Sequence, residues 1–523
     1  MIDIYSCTKD SKSIGDYDIA FNRVAKIHKY WSRKPFHLIE DCILQYSKRG
    51  QLVVDPFCGS GSTGLGAILN GRKYIGYDLN PTAVFITDST LSLKFSENDF
   101  ENELNKIIED CKNIIMPLYE CERGQYIVYC LAGKNNKDYN AIVADYNFAS
   151  KKKMNIDDKF IHPQITIPEG LSFPDQPFPR KFYKDRFSYK GVSKVSDMFT
   201  RRNLFALALL YNHIESSDIK YKELFRLALS NTILHVSKLK GQNVRPLSVN
   251  NYWIPDDWIE ENVIWRFMDR ALNVKEAKKQ IKTRAQKKGI KKTDYRLYNK
   301  SSILLDDLDN QSVNYIITDP PYGDAIQYSE LSFIWNCWLK TDYQIKDEII
   351  INPVQDKGVN EFQSQIQTFI DNAYRVLKRN GKFTLCFQNK DVRIWLNMIL
   401  HIKSVGFTLE DIRIYDTFGS PYNKHWAKFS PKADLYVTFK KSSKKSRPRG
   451  GISPESIIND IFANCDPTQL DMNHCYDLFV ASVINCVFDG YEIIDADKWN
   501  LKQIVKLYEQ KFRIIEGGNS ESI

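Results

Sequence analysis

The sequence predicts an α/β protein built on one doubly wound sheet, broken by a large insertion and followed by a small helical module. Short runs rich in β-branched residues end abruptly in turn chemistry, at 51–55 before Pro56 and at 314–318 before Asp319-Pro320-Pro321-Tyr322. Around both runs, strand-like segments alternate with helical periodicity, as in parallel sheets joined by crossover helices. The alternation stops from about Thr90 to Lys300, far beyond the roughly 15 residues that a structureless loop spans in a compact domain. An inserted region is therefore expected between the two halves of the sheet.

Composition narrows the class. With 523 residues, 43% hydrophobic and 26% charged, the chain resembles an ordinary globular protein with room for more than one domain. No apolar run reaches the about 18 residues of a membrane span, and no signal-peptide core opens the chain. The expected location is the cytoplasm. A net charge of +9 fits a polyanionic partner. The eleven cysteines are odd in number and never spaced CxxC, so they are read as reduced thiols, and no metal is predicted. No Pro-Cys dipeptide occurs, which removes the usual thiolate nucleophile of cytosine ring-carbon methylation.

In chain order, the first twenty residues show weak periodicity and are expected to form a loosely attached arm. After Lys34-Pro35, the residues Phe36, Leu38, Ile39, Cys42, Ile43 and Leu44 recur at helical spacing, with proline tolerated at the helix start. That helix is expected to end near Gly50. A buried strand, 51–55, then ends at Asp55-Pro56-Phe57, followed by Gly59-Ser60-Gly61 and a helix from about Ser62 to Leu69. Glycines let a backbone approach a ligand closely, and the helix aims its amino end at the same point. The next strand, 73–77, ends at Asp78-Leu79. Gly59, Gly61 and Gly64 with Asp78 downstream suit a dinucleotide and S-adenosylmethionine equally well.

Within the insertion, 173–180 is a proline-punctuated connector, and aromatic and basic residues alternate from Lys181 to Lys190. That interleaving suits unstacked bases and phosphates, or a plain surface hairpin. Helices are expected over 203–214 and 221–234, with an aromatic turn at Tyr252-Trp253-Ile254-Pro255. From Lys275 to Lys300 only Glu276 and Asp294 oppose a run of cations. Lys278, Lys279, Lys282, Arg284, Lys287 and Lys288 are its candidate phosphate contacts, against the alternative of a solvated helix face.

The wound pattern is expected to resume at 303–305 and 313–318. It continues through helices at 331–339 and 369–377, a strand at 382–388, a helix at 392–402 and strands at 412–415 and 434–439, the last two antiparallel. Residues 440–451 have the composition of a basic linker, and Ser453-Pro454-Glu455 opens the final helices. These, with two more helices, are expected to form a small module for contacts or dimerisation. The expected domains are 1–90, 91–300, 301–440, the linker 441–452, and 453–523.

Lys34-Pro35, then Asp55-Pro56-Phe57 with Gly59-Ser60-Gly61, then Asp319-Pro320-Pro321-Tyr322 resemble the motifs of the S-adenosylmethionine-dependent DNA amino-methyltransferases, adenine-N6 and cytosine-N4, in the order of their alpha group. The resemblance covers Ile27 to Thr87 and Ser301 to about Phe439. It implies a Rossmann-like methyltransferase sheet with target recognition in the insertion, and S-adenosylmethionine as cofactor. The implied cofactor residues are Lys34, which would approach the methionine carboxylate, Pro35, Asp55, Pro56, Phe57, Gly59, Ser60, Gly61, Asp78 on the ribose, and Leu79. The family's usual acidic residue at the end of the strand before the catalytic one is replaced here by Asn299-Lys300-Ser301-Ser302.

The chemistry of the tetrad fits that implication. An exocyclic amine is a poor nucleophile because its lone pair is delocalised into the ring. Asp319 and the Pro320 carbonyl can each accept one amine hydrogen, which favours a tetrahedral nitrogen, while Pro321 rigidifies the turn and Tyr322 offers a face for a flipped-out base. In the family this tetrad is commoner in adenine-N6 enzymes, so adenine in double-stranded DNA is the expected target. Cytosine N4, transfer-RNA guanine N2 and a non-catalytic nucleic-acid-binding role are the alternatives. A cognate restriction endonuclease or other defence-system subunits are expected partners, with no membrane.

Overall fold

The computed structural model describes residues 2–6, 8–10, 18, 21, 23–133, 140–156, 160, 165–179, 182, 191–242, 245–247, 252–343, 345–389, 391–416, 433–442, 447–465 and 472–518. The first half of the main sheet consists of β1 (Thr8–Asp10), helix α1 (Phe36–Tyr46), β2 (Leu52–Asp55), α2 (Ser62–Leu69), β3 (Lys73–Tyr77) and α3 (Pro81–Leu91). Helix α1 ends before the expected Gly50, where the Ser47 backbone turns extended. Asn80 caps α3 by accepting from the Thr82 amide, with Pro81 at the first helical position.

The insertion opens with α4 (Glu97–Ile115) and a small sheet of β4 (Glu120–Glu122), β5 (Gln125–Gly133), β6 (Asn140–Ala144) and β7 (Lys152–Asn155). Helices α5 (Arg201–Ser216) and α6 (Lys222–Ile233) follow, then β8 (Asp257–Glu261), which pairs antiparallel with β5. The two helices fall where their periodicity predicts. Tyr252 is fully buried in the expected aromatic turn. Lys181, Tyr183, Lys184, Arg186, Phe187, Tyr189 and Lys190 of the alternating stretch lie outside the described residues, whereas Phe182 is buried.

The chain returns to the main sheet earlier than expected. Helix α7 (Val263–Lys287), roughly 37 Å long, leads into β9 (Tyr295–Tyr298), which pairs parallel with β3. Residues 303–305, expected to form a strand, do not. They lack room for a ladder of their own because β9 already occupies the edge beside β3. The second half is β10 (Val313–Thr318), α8 (Tyr328–Leu339), α9 (Val359–Val376), β11 (Leu377–Cys386), α10 (Val392–Val405), β12 (Phe407–Asp416) and β13 (Ala433–Lys441).

The order β1-β12-β13-β11-β10-β2-β3-β9 makes one eight-stranded sheet. It is parallel except for β13, which runs antiparallel to both β11 and β12, the expected final pair. Strand order reverses between β2 and β10, which pair through Val53 with Tyr315 and Val54 with Ile316. In such a sheet a crevice opens beyond the carboxyl ends of the strands at that reversal, and ligands bind there.

One expectation about the ends is corrected. The described part of the amino-terminal arm is tied down: β1 pairs parallel with β12, and both backbone groups of Ile2 bond to the Asn485 side chain at 3.0 and 2.7 Å. The last helices, α11 (Pro454–Asn464), α12 (Met472–Asp489) and α13 (Leu501–Gly518), form a helical module that packs on the sheet. Phe479, Trp499 and Tyr508 belong to the same buried cluster as Ile412 and Val437 of the sheet. Asp477 accepts from the Ala433 amide at 2.8 Å, at the start of β13. Ser453 does open α11, through a reciprocal capping box with Ser456. Among the described residues no helix is long and apolar enough to cross a membrane.

Candidate active site

A cleft of about 940 Å³, mouth included, opens where β2, β3 and β10 end. Its lining brings together ten of the predicted residues: Lys34, Asp55, Pro56, Phe57, Gly59, Ser60, Asp78, Leu79, Asp319 and Pro321. Pro35, Gly61, Pro320 and Tyr322 stand behind this wall, although Tyr322 bonds directly to Asp319.

The glycine turn is conformationally required. Gly61 caps α2 at φ 84°, and Gly59 sits at φ 51°, both in the left-handed region that side chains avoid. A Cβ at Gly59 would meet the Tyr30 ring at 3.2 Å, and one at Gly61 would meet Thr87 at 3.0 Å. Asp78 closes the turn from β3: it accepts from the Gly59 amide at 2.9 Å and from the Asn80 amide at 2.9 Å. Burial pushes its carboxyl up to about 7, those two amides opposing. Asp55 accepts from the Phe57 amide at 3.1 Å and the Thr318 hydroxyl at 2.7 Å, locking the ends of β2 and β10 together. Burial raises it to about 6, against hydrogen bonds from Thr63, Thr318 and Phe57.

At the end of β10 the two prolines turn the chain out of the ladder. Asp319 then lies beside two partners: the Tyr322 hydroxyl donates to Oδ1, and Lys34 Nζ is 3.7 Å from Oδ2. The ammonium also lies 3.2 Å from Asp434 Oδ1, so one cation bridges two carboxylates. Gln388 donates its amide to the same Asp434 oxygen at 2.7 Å. Burial pushes Asp319 up to about 7, with Lys34 and Tyr322 holding it from rising further. Burial works against the Lys34 charge, but Asp319 and Asp434 more than reverse it, and its pKa is raised. The Tyr322 ring packs edge-on against Phe387, with centroids 5.5 Å apart.

Several cleft residues carry no motif. Tyr30 and Tyr328 stack at 6.0 Å within the wall, and Arg33 and Glu348 add charge. Arg33 adjoins Lys34, so its position was the one signal available. Glu348 comes from the segment after α8, and Asp434 follows residues 417–432, which lie outside the described set. Neither carries a sequence signal. Asn299 donates to the backbone carbonyls of Asp78 and Leu79, each at 3.0 Å, and Ser301 and Ser302 line the cleft where the family's usual acid is missing. Among the described residues no cluster of three His, Cys, Asp or Glu could hold a metal.

The basic run needs correction. Most of it is α7, which packs against α4 and α6 as a core helix. Lys278 is 1% exposed and donates to the carbonyls of Ser89 at 2.7 Å, Thr90 at 3.2 Å and Ser92, so it is unavailable to phosphate. Burial pulls its ammonium down to about 7. Lys282 donates to the Phe95 carbonyl at 2.7 Å. Arg284 and Lys288 each pair with Glu40 at 2.7 Å, and Lys279 pairs with Glu97 at 3.0 Å. Lys287 is exposed. Helical periodicity explains the difference, since Val274, Ala277, Ile281 and Ala285 share the buried face, and Lys278 falls within it.

A family model described as DNA methylase matches residues 4–89 and 313–514, more than half of the chain. The orphan methyltransferase M.BamHII of Bacillus amyloliquefaciens is 52% identical over 46 residues, 9% of this chain and 17% of that protein. The type II methyltransferase M2.DpnII of Streptococcus pneumoniae is 38% identical over 77 residues, 15% of this chain and 26% of its own length. The DNA adenine methyltransferase YhdJ of Escherichia coli (strain K12) is 47% identical over 49 residues, 9% of this chain and 17% of its own. The chain thus spans between 17% and 26% of the length of these three relatives.

Proposed function

We propose that this chain, which belongs to the DNA methylase family, transfers a methyl group to the exocyclic N6 of adenine in a base turned out of duplex DNA. The observation that carries the reading is the Asp319 carboxylate at the edge of the cleft, with its oxygens directed to Tyr322 and Lys34. Those contacts mark it as a hydrogen-bond acceptor. An incoming amine would take the place of the Tyr322 hydroxyl on Oδ1, freeing the ring to stack on the base.

S-adenosylmethionine is the cofactor of the family and of this chain, and when bound it supplies an electrophilic methyl on a sulfonium. The cleft fits it. Its glycine cradle leaves little room for a Cβ, and its acid-rich lining of Asp55, Asp78, Asp319, Asp347 and Glu348 favours a cationic ligand. Asp78 is the residue proposed for the ribose hydroxyls. Gly59, Ser60 and Phe57 would surround the methionine part. The transfer is direct and needs no covalent attack on the base.

One relative is named a DNA adenine methyltransferase and others are named type II methyltransferases, which supports adenine as target and a place beside a cognate restriction endonuclease. The test is incubation of the full chain with labelled S-adenosylmethionine and duplex DNA, then nucleoside analysis. N6-methyladenine is expected. N4-methylcytosine would refute the adenine assignment, and labelled transfer RNA with unlabelled duplex would refute the DNA reading. Asp319→Ala should lower transfer by at least about a thousandfold while leaving cofactor affinity within about twofold. Loss of affinity equal to the loss of rate would contradict its role as amine acceptor.

A further inference from the structure

We infer that Arg33, and not the motif residue Lys34, holds the carboxylate of the methionine moiety of S-adenosylmethionine. The inference rests on the proposed use of that cofactor in this cleft. It starts from a count of cations. The only Lys or Arg side chains among the lining residues described are Arg33 and Lys34. A ligand carboxylate entering a wall that already carries five acidic side chains requires one of them.

Lys34 is engaged. Its ammonium stands 3.7 Å from Asp319 and 3.2 Å from Asp434, so one positive charge already answers two negative ones. A third carboxylate there would add two like-charge repulsions for one shared attraction, in a site only 10% exposed at the lysine. Arg33 differs. Among the described residues its one hydrogen bond is a long one, 3.4 Å from Nη2 to the His28 carbonyl, and no carboxylate pairs with it. Burial pulls its guanidinium down to about 10, with no carboxylate opposing, yet it stays charged at neutral pH. It has a fork of donors that suits two carboxylate oxygens at once.

Position agrees. The carbonyl of Lys34 accepts from Ser62 Oγ at 3.3 Å, which ties the Arg33-Lys34 segment to the first turn of α2 and hence to the glycine cradle. Ser32, just before Arg33, sits at φ 54°, a left-handed turn that separates the two cations from the preceding aromatic wall. Arg33 and Lys34 thus both line the cleft, and the Lys34 ammonium is the one held at the Asp319 end.

The test uses binding alone, by calorimetry on the full chain, with S-adenosylhomocysteine and its decarboxylated analogue as probes. The wild type should prefer the carboxylate-bearing ligand by about ten- to a hundredfold, the worth of a charge-assisted bidentate contact. Arg33→Met should erase that preference while leaving affinity for the decarboxylated analogue within about twofold. Lys34→Met should retain the preference. If Arg33→Met keeps it, or Lys34→Met abolishes it, the inference is overturned. Should Arg33→Met bind neither ligand, Lys34→Met decides: a preference that persists there supports the inference, and one lost while the analogue still binds overturns it. A wild type that binds neither probe would sink the cofactor reading itself, and the inference with it.

Discussion

Replacing Lys34 by Met removes the cation between Asp319 and Asp434 while keeping most of the side chain's volume. At 3.7 Å, and with an effective dielectric of about 20, a unit pair interacts by roughly 4 kcal/mol. Because Lys34 also serves Asp434 at 3.2 Å, and water reaches part of the site, about half of that, roughly 2 kcal/mol, is assigned to Asp319. That corresponds to about 1.5 pH units. The sign follows from the charge removed: the anion loses its stabilising cation, so Asp319 rises from about 7 toward roughly 8.5. The protonated carboxyl is the inactive form, so the acid limb of the rate profile moves to higher pH. Single-turnover methylation of duplex DNA at saturating cofactor should fall roughly eightfold at about pH 7.5 and recover to within twofold by about pH 9.5. An equal loss at every pH, or a limb displaced to lower pH, would refute the bridging role of Lys34.

Two further outcomes concern α7 and the final helices. Lys278→Met should lower the thermal midpoint by a few degrees, because the carbonyls of Ser89, Thr90 and Ser92 lose their donor, at a cost of about 1–3 kcal/mol. The salt dependence of DNA binding should not change, and a shallower slope would return Lys278 to the phosphate contacts. A chain ending at residue 452 should fail to melt cooperatively. It loses Phe479, Trp499 and Tyr508, each at most 1% exposed in the core beneath the sheet, and each large aromatic deletion costs about 3–5 kcal/mol against a total stability of about 5–15. A sharp transition near the wild-type temperature would show the final helices to be separable.

Much of the site was legible in the sequence because its chemistry depends on short, contiguous turns. A strand that meets two prolines must leave the sheet, and glycines at left-handed positions tolerate little else, so the segments at 55–61 and 319–322 announce themselves. The wound sheet was legible for a related reason, since buried strands and amphipathic helices write their periods locally. In the folded sheet 51–55 and 313–318 meet as the neighbours β2 and β10.

What the sequence could not determine were properties that depend on which groups face each other across long separations. A lysine count along 275–300 cannot tell an ammonium facing solvent from one facing three carbonyls, because the difference is the rotation of α7 against its neighbours. Weak periodicity at the amino terminus concealed a strand, because β1 derives its ladder from β12, some 400 residues away. The partner of Lys34 was likewise invisible. Asp434 lies 400 positions along the chain and meets it only because β13 inserts antiparallel between β11 and β12. The sequence by itself determined the turn chemistry and the kind of sheet that carries it; the tertiary structure alone decided which charges neutralise one another, since electrostatic energy depends on distance in space and on exclusion of water, and neither is written along the chain.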